Sequence, residues 1–495
     1  MENQARQYYR EGVIFAELKQ YKEAIASYDK AISIEPDYAD AWNLRGVALG
    51  KLELYTEAID SYDKAIDIDP NFSNAWGNRG CALSNLDRNS EALTSFDKAI
   101  AINPNYPKMW STRGLALYNL GRYTEAVGSY DRALAIKPDI AEVWNKRGIA
   151  LHDLKQYAEA LASYDMAVAI KSDDVNAWYF RGITLGDLGR HAESLASFEK
   201  ALVINPNDAN IWIIRGTALS EFGRHVESLA SFEVAIAINP NNAYVWIFRG
   251  LVLGHLTRFT EAVDSYDKAL TIKPNYAEVW YYRGHVLRQL RKYSEAVESY
   301  DNAIAINPNY ADAWYTRGLL LCELGRYAEA VNSYEKVLVI KPDCAYAWFI
   351  RGIALSKLER HAEAVASFDR VLAIKPDQAD AWNNRGDALS ELGRNLEALA
   401  SYDKAIAINP NDAGAWYNHG LVLLQLGQRS GAVRSYDKAL AINPNDADVW
   451  YFRGIILGDL GRYAEAVDSY DKAIAIDPNN ADVKQNLEIA LKKIR

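Results

Sequence analysis

Large apolar residues recur along this chain at a fixed interval of 34 residues. The thirteen tryptophans mark the interval: Trp42, Trp76, Trp110, Trp144, Trp178, Trp212, Trp246, Trp280, Trp314, Trp348, Trp382, Trp416 and Trp450. Proline keeps the same interval from Pro36 to Pro478, with Ser172 as the one gap. A strict period of this length predicts a solenoid, in which each repeat contacts only its neighbours. We therefore expect shared residues to carry stability and variable residues to carry specificity.

The apolar pattern within each 34-residue unit predicts two amphipathic helices. Residues 447–480 form a representative unit. With Trp450 at position 4, the helical period puts positions 3, 4, 7, 11 and 14 on one face and positions 2, 5, 6, 9, 12 and 13 on the other. Gly461 is placed to end the first helix, since glycine favours the backbone conformation found at helix C-termini. The second helix is predicted to begin near Tyr463 and to stop before Pro478.

This unit resembles the tetratricopeptide repeat. The residues that match the family signature are Trp450, Gly454, Ala466, Tyr470, Ala473 and Pro478. The resemblance covers residues 5–480 as fourteen units, which leaves a lead at residues 1–4 and a predicted polar capping helix at residues 481–495. It implies an all-α fold, a right-handed α-solenoid (superhelix) of helix-turn-helix units whose concave wall is made from the first helices.

The main departure from the family pattern is an Arg before the conserved glycine, at position 7 of the unit. Twelve copies carry it, as in Arg453, whereas repeat 1 has Glu11 and repeat 13 has His419. An acid such as Asp29 or Asp63 follows the aromatic residue of every second helix. Because a buried guanidinium needs a partner, we predict that each Arg is largely buried against an acid of its own or the preceding repeat. The alternative is a ladder of arginines that binds an anionic ligand.

Positions 5 and 6 of the first helices are mostly apolar or aromatic in repeats 6–11, residues 175–378, and mostly polar in repeats 2–5. An apolar stretch on a face that the fold does not need is typical of a partner site. The alternative is that these side chains pack against neighbouring first helices and tighten the array. Acids at position 13 would favour basic residues flanking the partner's apolar anchors. The predicted partner-binding residues are Tyr179, Phe180, Ile213, Ile247, Phe248, Tyr281, Tyr282, Tyr315, Phe349, Ile350, Asp187, Glu221 and Glu323.

Composition narrows the classes of function. A net charge of −10 argues against nucleic-acid binding, which needs a basic surface. No apolar run approaches the ~20 residues of a membrane helix, and the three cysteines are scattered. We therefore expect a soluble, cytoplasmic protein without membrane association, cofactor or metal. The seven histidines fall singly in separate repeats, so we do not expect an enzyme.

The leading hypothesis is a protein–protein interaction scaffold that binds a peptide or protein partner in the concave groove. Some tetratricopeptide proteins hold acidic chaperone tails with a Lys/Asn/Arg clamp, but position 9, where its Asn would stand, carries mostly apolar residues such as Val47 and Leu115, and Asp387 in repeat 12. Chaperone tails are therefore not the expected partner. The alternative hypothesis is a self-associating structural array without a dedicated ligand, either natural or an engineered consensus-like repeat.

Overall fold

The computed structural model describes residues 2–494, and all the regular structure in that range is α-helical. The first helices of the repeats are α1 (Glu2–Glu17), α3 (Ala39–Lys51), α5 (Ser73–Asn85), α7 (Pro107–Asn119), α9 (Ala141–Asp153), α11 (Val175–Asp187), α13 (Ala209–Glu221), α15 (Ala243–His255), α17 (Ala277–Gln289), α19 (Ala311–Glu323), α21 (Ala345–Lys357), α23 (Ala379–Glu391), α25 (Ala413–Gln425), α27 (Ala447–Asp459) and α29 (Ala481–Ile494). The second helices are α2 (Tyr21–Ile34), α4 (Tyr55–Ile68), α6 (Asn89–Ile102), α8 (Tyr123–Ile136), α10 (Tyr157–Ile170), α12 (His191–Ile204), α14 (His225–Ile238), α16 (Phe259–Ile272), α18 (Tyr293–Ile306), α20 (Tyr327–Ile340), α22 (His361–Ile374), α24 (Asn395–Ile408), α26 (Arg429–Ile442) and α28 (Tyr463–Ile476).

The helices form an all-α solenoid, as predicted. A first helix packs against the second helix of its own repeat and against that of the preceding repeat, as α27 does with α28 and α26. The chain divides into two compact units, one up to Val252 and one from Leu253 onward. The predicted helix boundaries at Gly461 and Tyr463 are confirmed. Helix α1 begins at Glu2, so residues 2–4, predicted as a lead, are helical.

The turn between the two helices of a repeat needs a left-handed backbone at position 15. Gly461 has φ of 74° there, and six other repeats also use glycine. Seven repeats place other residues in this conformation, and one of them is the β-branched Thr257, with φ of 58°. A left-handed conformation costs a residue with a side chain roughly 1–2 kcal/mol relative to its normal one. These seven turns therefore hold local strain that the glycine turns avoid.

We expect Thr257→Gly to raise the free energy of unfolding by about 1 kcal/mol, because glycine adopts this backbone without steric cost. Thermal and urea unfolding of the full chain measure the effect. Asp264→Gly is the matched control, since this exposed residue lies inside α16 and glycine there should lower stability by a similar amount. Destabilisation by both substitutions would contradict the assignment of strain to Thr257.

The core of each repeat is a contact between an aromatic residue of the second helix and a glycine of the first. Tyr470 is almost fully buried, and a Cβ added at Gly454 would lie 2.5 Å from its ring. The same geometry holds between Phe232 and Gly216, at 2.6 Å. Any side chain at this position would overlap the ring, so glycine is needed here for space.

The tryptophan of each repeat ties its first helix to the turn before it. The Trp450 indole N–H donates to the Pro444 carbonyl at 2.9 Å. In repeat 6, where Ser172 replaces the proline, the Trp178 indole still donates to the carbonyl of that residue, at 3.0 Å. The gap in the proline series therefore leaves this hydrogen bond intact.

The position-7 arginine bridges two consecutive repeats. Arg453 donates from Nε to Asp437 of the preceding repeat and from Nη1 to Ser469 of its own, both at 2.6 Å. Its guanidinium also lies 5.6 Å from the Trp450 ring centroid. Across the twelve copies the Arg side chains are 13–24% exposed and the acids 45–60% exposed. The predicted ion pair is confirmed, with the acid of the preceding repeat, and the arginines do not form an open ladder for anions.

Repeat 13 replaces this arginine by His419. Its Nδ1 lies 2.8 Å from Ser435 Oγ and its Nε2 lies 3.2 Å from Asp403 Oδ1, so the imidazole occupies the place of the guanidinium. Burial lowers the pKa of His419, and the nearby Asp403 partly offsets this shift. The bridge between repeats 12 and 13 therefore carries less charge near neutral pH than the bridges made by arginine.

We expect His419→Arg to stabilise the protein modestly, by up to about 1 kcal/mol, because the paired acid is largely exposed. The pKa of His419 is lower in the folded than in the unfolded chain, so the unfolded chain binds more protons, and wild-type stability falls as the pH drops below about 6.5. The variant lacks this dependence, so its Tm advantage should grow from pH 8 to pH 5.5. An advantage that shrinks on acidification would contradict this account.

The last helix, α29, packs against α28 through Val483 and Ala490. The predicted helix is confirmed for Ala481–Ile494, and residue 495 lies outside the described range. Its exposed surface carries charged residues such as Lys484 and Glu488 together with the apolar Ile489, Leu491 and Ile494. The last two stand at positions 11 and 14, which in other repeats face a second helix, and the described residues contain no helix after α29. The capping role of this helix stays a prediction.

Candidate partner-binding site

In the unit that ends at Val252, the side chains at positions 5 and 6 lie against the aromatic residues of the second helices. The Tyr179 ring is 6.4 Å from Phe198 of its own repeat, and Phe180 stacks on Tyr164 of the preceding repeat at 6.2 Å. Phe248 is half-buried, and its neighbour Ile247 is buried. These residues pack against the second helices of their own and the preceding repeat.

The unit from Leu253 onward repeats this arrangement. The Tyr281 ring lies 6.0 Å from Tyr300, and the Tyr282 ring lies 6.2 Å from Tyr266 of the preceding repeat. Both rings are half-buried, as are the other predicted residues of this unit: Tyr315, Phe349 and Ile350. The expectation that the fold does not need this face is therefore wrong. The same residues support the stacking and keep part of their surface open.

One aromatic residue of this surface is not among those predicted from the sequence. Tyr346 is 55% exposed, and its ring lies 6.1 Å from that of Tyr315. Burial is the main reason why the pKa of Tyr315 is raised to about 12, and the neighbouring Tyr346 and Cys344 add to the shift. The Tyr315 phenol therefore stays protonated at neutral pH. Position 2, which holds Tyr346, is acidic or polar in most repeats. A tyrosine at this position is therefore the feature of the sequence that could have identified Tyr346 as a surface aromatic residue.

Two adjoining clefts open between α11 and α13, at the predicted residues of repeats 6 and 7. The larger cleft, of about 380 Å³, has walls formed by Tyr179, Ile213 and Ile214 together with Asp208. The smaller cleft, of about 120 Å³, shares Ile214 and is bordered by Asp187 and Glu221. The structure thus brings predicted apolar residues and predicted acids of this unit to one surface.

The acids at position 13 differ in how far they are already engaged. Two of them are contacted by the residue at position 12 of the preceding repeat: His152 Nε2 lies 2.8 Å from Asp187 Oδ2. Arg288 Nε donates to Glu323 at 3.3 Å, and a second guanidinium nitrogen of Arg288 engages the other carboxylate oxygen. For Glu221 the residue in that place is Gly186, which has no side chain to offer. Glu221 is therefore the most available of the three predicted acids.

A third cleft lies at the corresponding place between α23 and α25. It measures about 410 Å³ and is lined by polar side chains that include Asp387, Tyr402 and Asn418. Asp387 Oδ1 accepts hydrogen bonds from the Tyr402 hydroxyl at 2.6 Å and from Asn418 Nδ2 at 2.9 Å. Burial raises the pKa of Asp387, although the Tyr402 hydrogen bond opposes the shift. In the sequence, this acid stands out only as a departure from the apolar pattern of position 9.

Other kinds of site find little support in the described part of the chain. Residues 2–494 hold no group of three or more His, Cys, Asp or Glu side chains arranged to bind a metal ion. Cys81, Cys322 and Cys344 are free thiols. Over the same range, no helix has both the length and the apolar character that a bilayer crossing requires.

Helix pairs of 34 residues that stack through a shared aromatic–glycine contact define a helical-repeat protein. A family model described as "Tetratricopeptide repeat" matches residues 78–139, 112–175, 179–243, 315–379 and 417–481. Related models match residues 12–53, 39–72, 61–94, 258–290, 284–325 and 386–427. The chain belongs to the tetratricopeptide repeat family, and a protein-interaction scaffold is the class of function that this membership supports. A search of curated proteins finds no match.

Solved structures of similar chains were also found. The crystal structure of the APC/C hetero-tetramer Cut9-Hcn1 is similar at 17% identity, covering 98% of this chain and 96% of that one, with a TM-score of 0.37. YrrB, described as a TPR protein with an unusual peptide-binding site, is similar at 27% identity over 37% of this chain and 95% of its own, with a TM-score of 0.35. A tetratricopeptide repeat protein from Parabacteroides merdae is 20% identical over 50% of this chain and 98% of its own, with a TM-score of 0.35.

Proposed function

We propose that this chain is a scaffold that holds a peptide or protein partner against its first helices, through apolar anchors on the partner and basic residues beside them. The adjoining clefts between α11 and α13 carry the proposal. They place an apolar recess lined by Tyr179 and Ile213 next to the acids Asp187 and Glu221. A recess of this kind can bury a partner side chain, and the acids favour partners of positive charge.

The aromatic surface from Leu253 onward supports the same proposal as a separate contact region. Tyr281, Tyr282 and Tyr315 are half-buried on one face of consecutive first helices. The exposed Tyr346 extends that face. Aromatic side chains bury a large area while few rotamers are frozen, so they are favoured contact residues. Glu323 has a smaller part here, because a basic partner residue would have to replace Arg288.

Site-directed photo-crosslinking tests where a partner binds. A benzophenone amino acid replaces Tyr346 or Asn210 on the first-helix surface, and in the control it replaces Val339 or Val203, which are exposed on second helices. After irradiation in cell extract, we expect crosslinked partners from the first-helix positions and few from the controls. Equal yields from both sets, or a partner that is captured only by the controls, would place the binding surface elsewhere.

Self-association is the second candidate function, and the apolar surface of α29 favours it. Leu491 and Ile494, three residues apart, are exposed on the same side of this helix, and exposed apolar residues that lie together are typical of interaction sites. Light scattering over a concentration series distinguishes this candidate from the scaffold. If the chain self-associates through α29, Leu491→Ser should lower the average mass at high protein concentration. A mass equal to one chain at every concentration would remove this candidate.

A further inference from the structure

A second apolar surface lies on the second helices of repeats 5–7, which are α10, α12 and α14. Positions 18, 22, 26 and 29 of a unit recur at helical spacing, so they share one side of each helix. In these three repeats all twelve residues at those positions are exposed. Eleven of them are alanine, valine or methionine, and Lys200 is the one charged residue. We call this set of twelve the outer stripe.

The apolar character of the outer stripe is confined to these repeats. Position 26 holds Lys, Arg or Asn in the other twelve repeats if Lys200 is included, whereas Met166 and Val234 occupy it here. The preceding repeat carries Thr124 and Arg132 at the same positions, and in the following repeat all four residues are polar. Val203 within the stripe is 81% exposed. An exposed apolar surface between polar neighbours is typical of an interaction site.

The borders of the outer stripe offer little free charge to a partner. Glu193 and Glu227 each pair with an arginine three residues earlier, at 2.7 and 2.6 Å. On the opposite border, Glu199 lies 3.3 Å from Arg215 of the next repeat. These pairs largely neutralise the acids, so the stripe favours a surface that is itself neutral and apolar. A second copy of the outer stripe is such a surface.

The outer stripe is complementary to itself in shape. Its position 22 is alanine in all three helices. A two-fold axis that crosses the helices at this position sets each helix antiparallel to its counterpart in the other copy. Met166 then lies at the level of the second copy's Ala158, since both are four residues from Ala162, and Val226 lies at the level of Val234. Large side chains therefore meet alanine in α10 and other apolar side chains in α14.

Helix α12 follows the same relation and decides where the axis runs. An axis parallel to α12 would put the two Lys200 side chains at one level, where they repel each other. An axis across the helix at Ala196 leaves Lys200 about 6 Å to one side and Glu193 about 4.5 Å to the other, so each lysine meets the second copy's Glu193. Val203 then lies at the level of Gly189, beside which there is open space.

The outer stripe is large enough for a weak dimer. Each of its helices has 14 residues and is therefore about 21 Å long and about 10 Å wide. Three such faces amount to roughly 600 Å² per copy, which is near the lower end of specific interfaces. We infer that two copies of this chain pair through the outer faces of α10, α12 and α14, with Lys200 of each copy beside Glu193 of the other. The first helices take no part in this contact.

Sedimentation equilibrium of the full-length chain, from micromolar to near-millimolar protein, tests this inference. We expect a monomer–dimer equilibrium. Lys200→Glu and Glu193→Lys should each raise the dissociation constant of the dimer by about tenfold or more, because like charges then face each other. The variant that combines both substitutions should regain most of the dimer, since it restores opposite charges at each contact.

Matched controls locate the contact. Val203→Lys puts a charge into the interface and should prevent dimerisation, whereas Val339→Lys, at the same position of repeat 10 and 79% exposed, should not. All the substituted residues are exposed, so helix content and Tm should be unchanged. In the purified chain, a benzophenone amino acid at position 203 should give an adduct of twice the chain mass, and at position 339 it should not.

Two results would overturn the inference without bearing on the scaffold proposal. One is a chain that stays monomeric at every concentration. The other is a dimer that survives Val203→Lys, or that is lost in Leu491→Ser instead, since the contact would then lie outside the outer stripe.

Discussion

Replacing Phe198 by Ala is expected to lower the free energy of unfolding by about 3–5 kcal/mol, the usual effect of deleting a fully buried aromatic side chain. The ring is almost completely buried, and it fills the space left by Gly182, where an added Cβ would lie 2.6 Å from it. It also supports Tyr179 in the wall of the larger cleft. Urea unfolding followed by circular dichroism measures the overall loss.

Hydrogen exchange gives the location of this effect. Stability in a repeat array is a sum of nearest-neighbour terms, so protection should fall most in α11 and α12 and least in distant repeats. Val203→Ala is the control in the same helix, since Val203 is 81% exposed and its loss should change stability by less than about 0.5 kcal/mol. Similar losses from both substitutions would show that Phe198 is not the core residue described above.

Replacing Asp387 by Leu is expected to raise the free energy of unfolding at neutral pH by roughly 1–2 kcal/mol, because a poorly solvated carboxylate gives way to an apolar side chain. Leucine already occupies the same position in repeat 13, at Leu421. The Tyr402 hydroxyl would lose its acceptor, but Tyr436 and Tyr300 are buried without a hydrogen-bond partner in the described structure. The fold therefore accepts this arrangement in other repeats.

The pH dependence provides a second readout for this variant. The pKa of Asp387 is raised in the folded chain, so the folded chain binds more protons than the unfolded chain between the unfolded pKa of about 3.9 and the raised value. Wild-type stability at this site therefore falls as the pH rises through that window. The advantage of the Leu variant should be full at neutral pH and vanish near pH 4. Glu391→Gln, at a nearby exposed acid, should show neither effect.

Much of the fold could be predicted from the sequence because the repeats carry similar residues at equivalent positions. The positions of Gly461 and Tyr463 gave the turn, and both helix boundaries follow. The recurrence of Arg453 with an acid such as Asp437 predicted their ion pair, although the sequence left open which repeat supplies the acid. Both predictions rest on residues that repeat without a change of chemistry.

The candidate site was harder to predict, since its contacts join different positions of neighbouring repeats. A helical wheel of one unit placed Phe180 away from the packing face, but it cannot show that Tyr164 of the preceding repeat lies against it. The same limit hid the contact of His152 with Asp187. Even in the polar repeats, Asn78 donates to Asn43 of the preceding repeat at 3.0 Å. These pairs depend on how repeats are offset when they stack, which a pattern within one unit does not encode.

The arginine bridges give the array a polarity. Each guanidinium, as at Arg385, takes its carboxylate from the repeat before it and its hydroxyl from its own repeat. Removing whole repeats from the C-terminal side would therefore leave behind a carboxylate such as Asp369, which is half-exposed and can be hydrated. Removal from the N-terminal side would instead leave a guanidinium that has lost both its counter-ion and the preceding repeat that packs beside it. The two ends of a shortened array therefore differ in charge, since a C-terminal cut leaves an unpaired carboxylate and an N-terminal cut leaves an unpaired guanidinium.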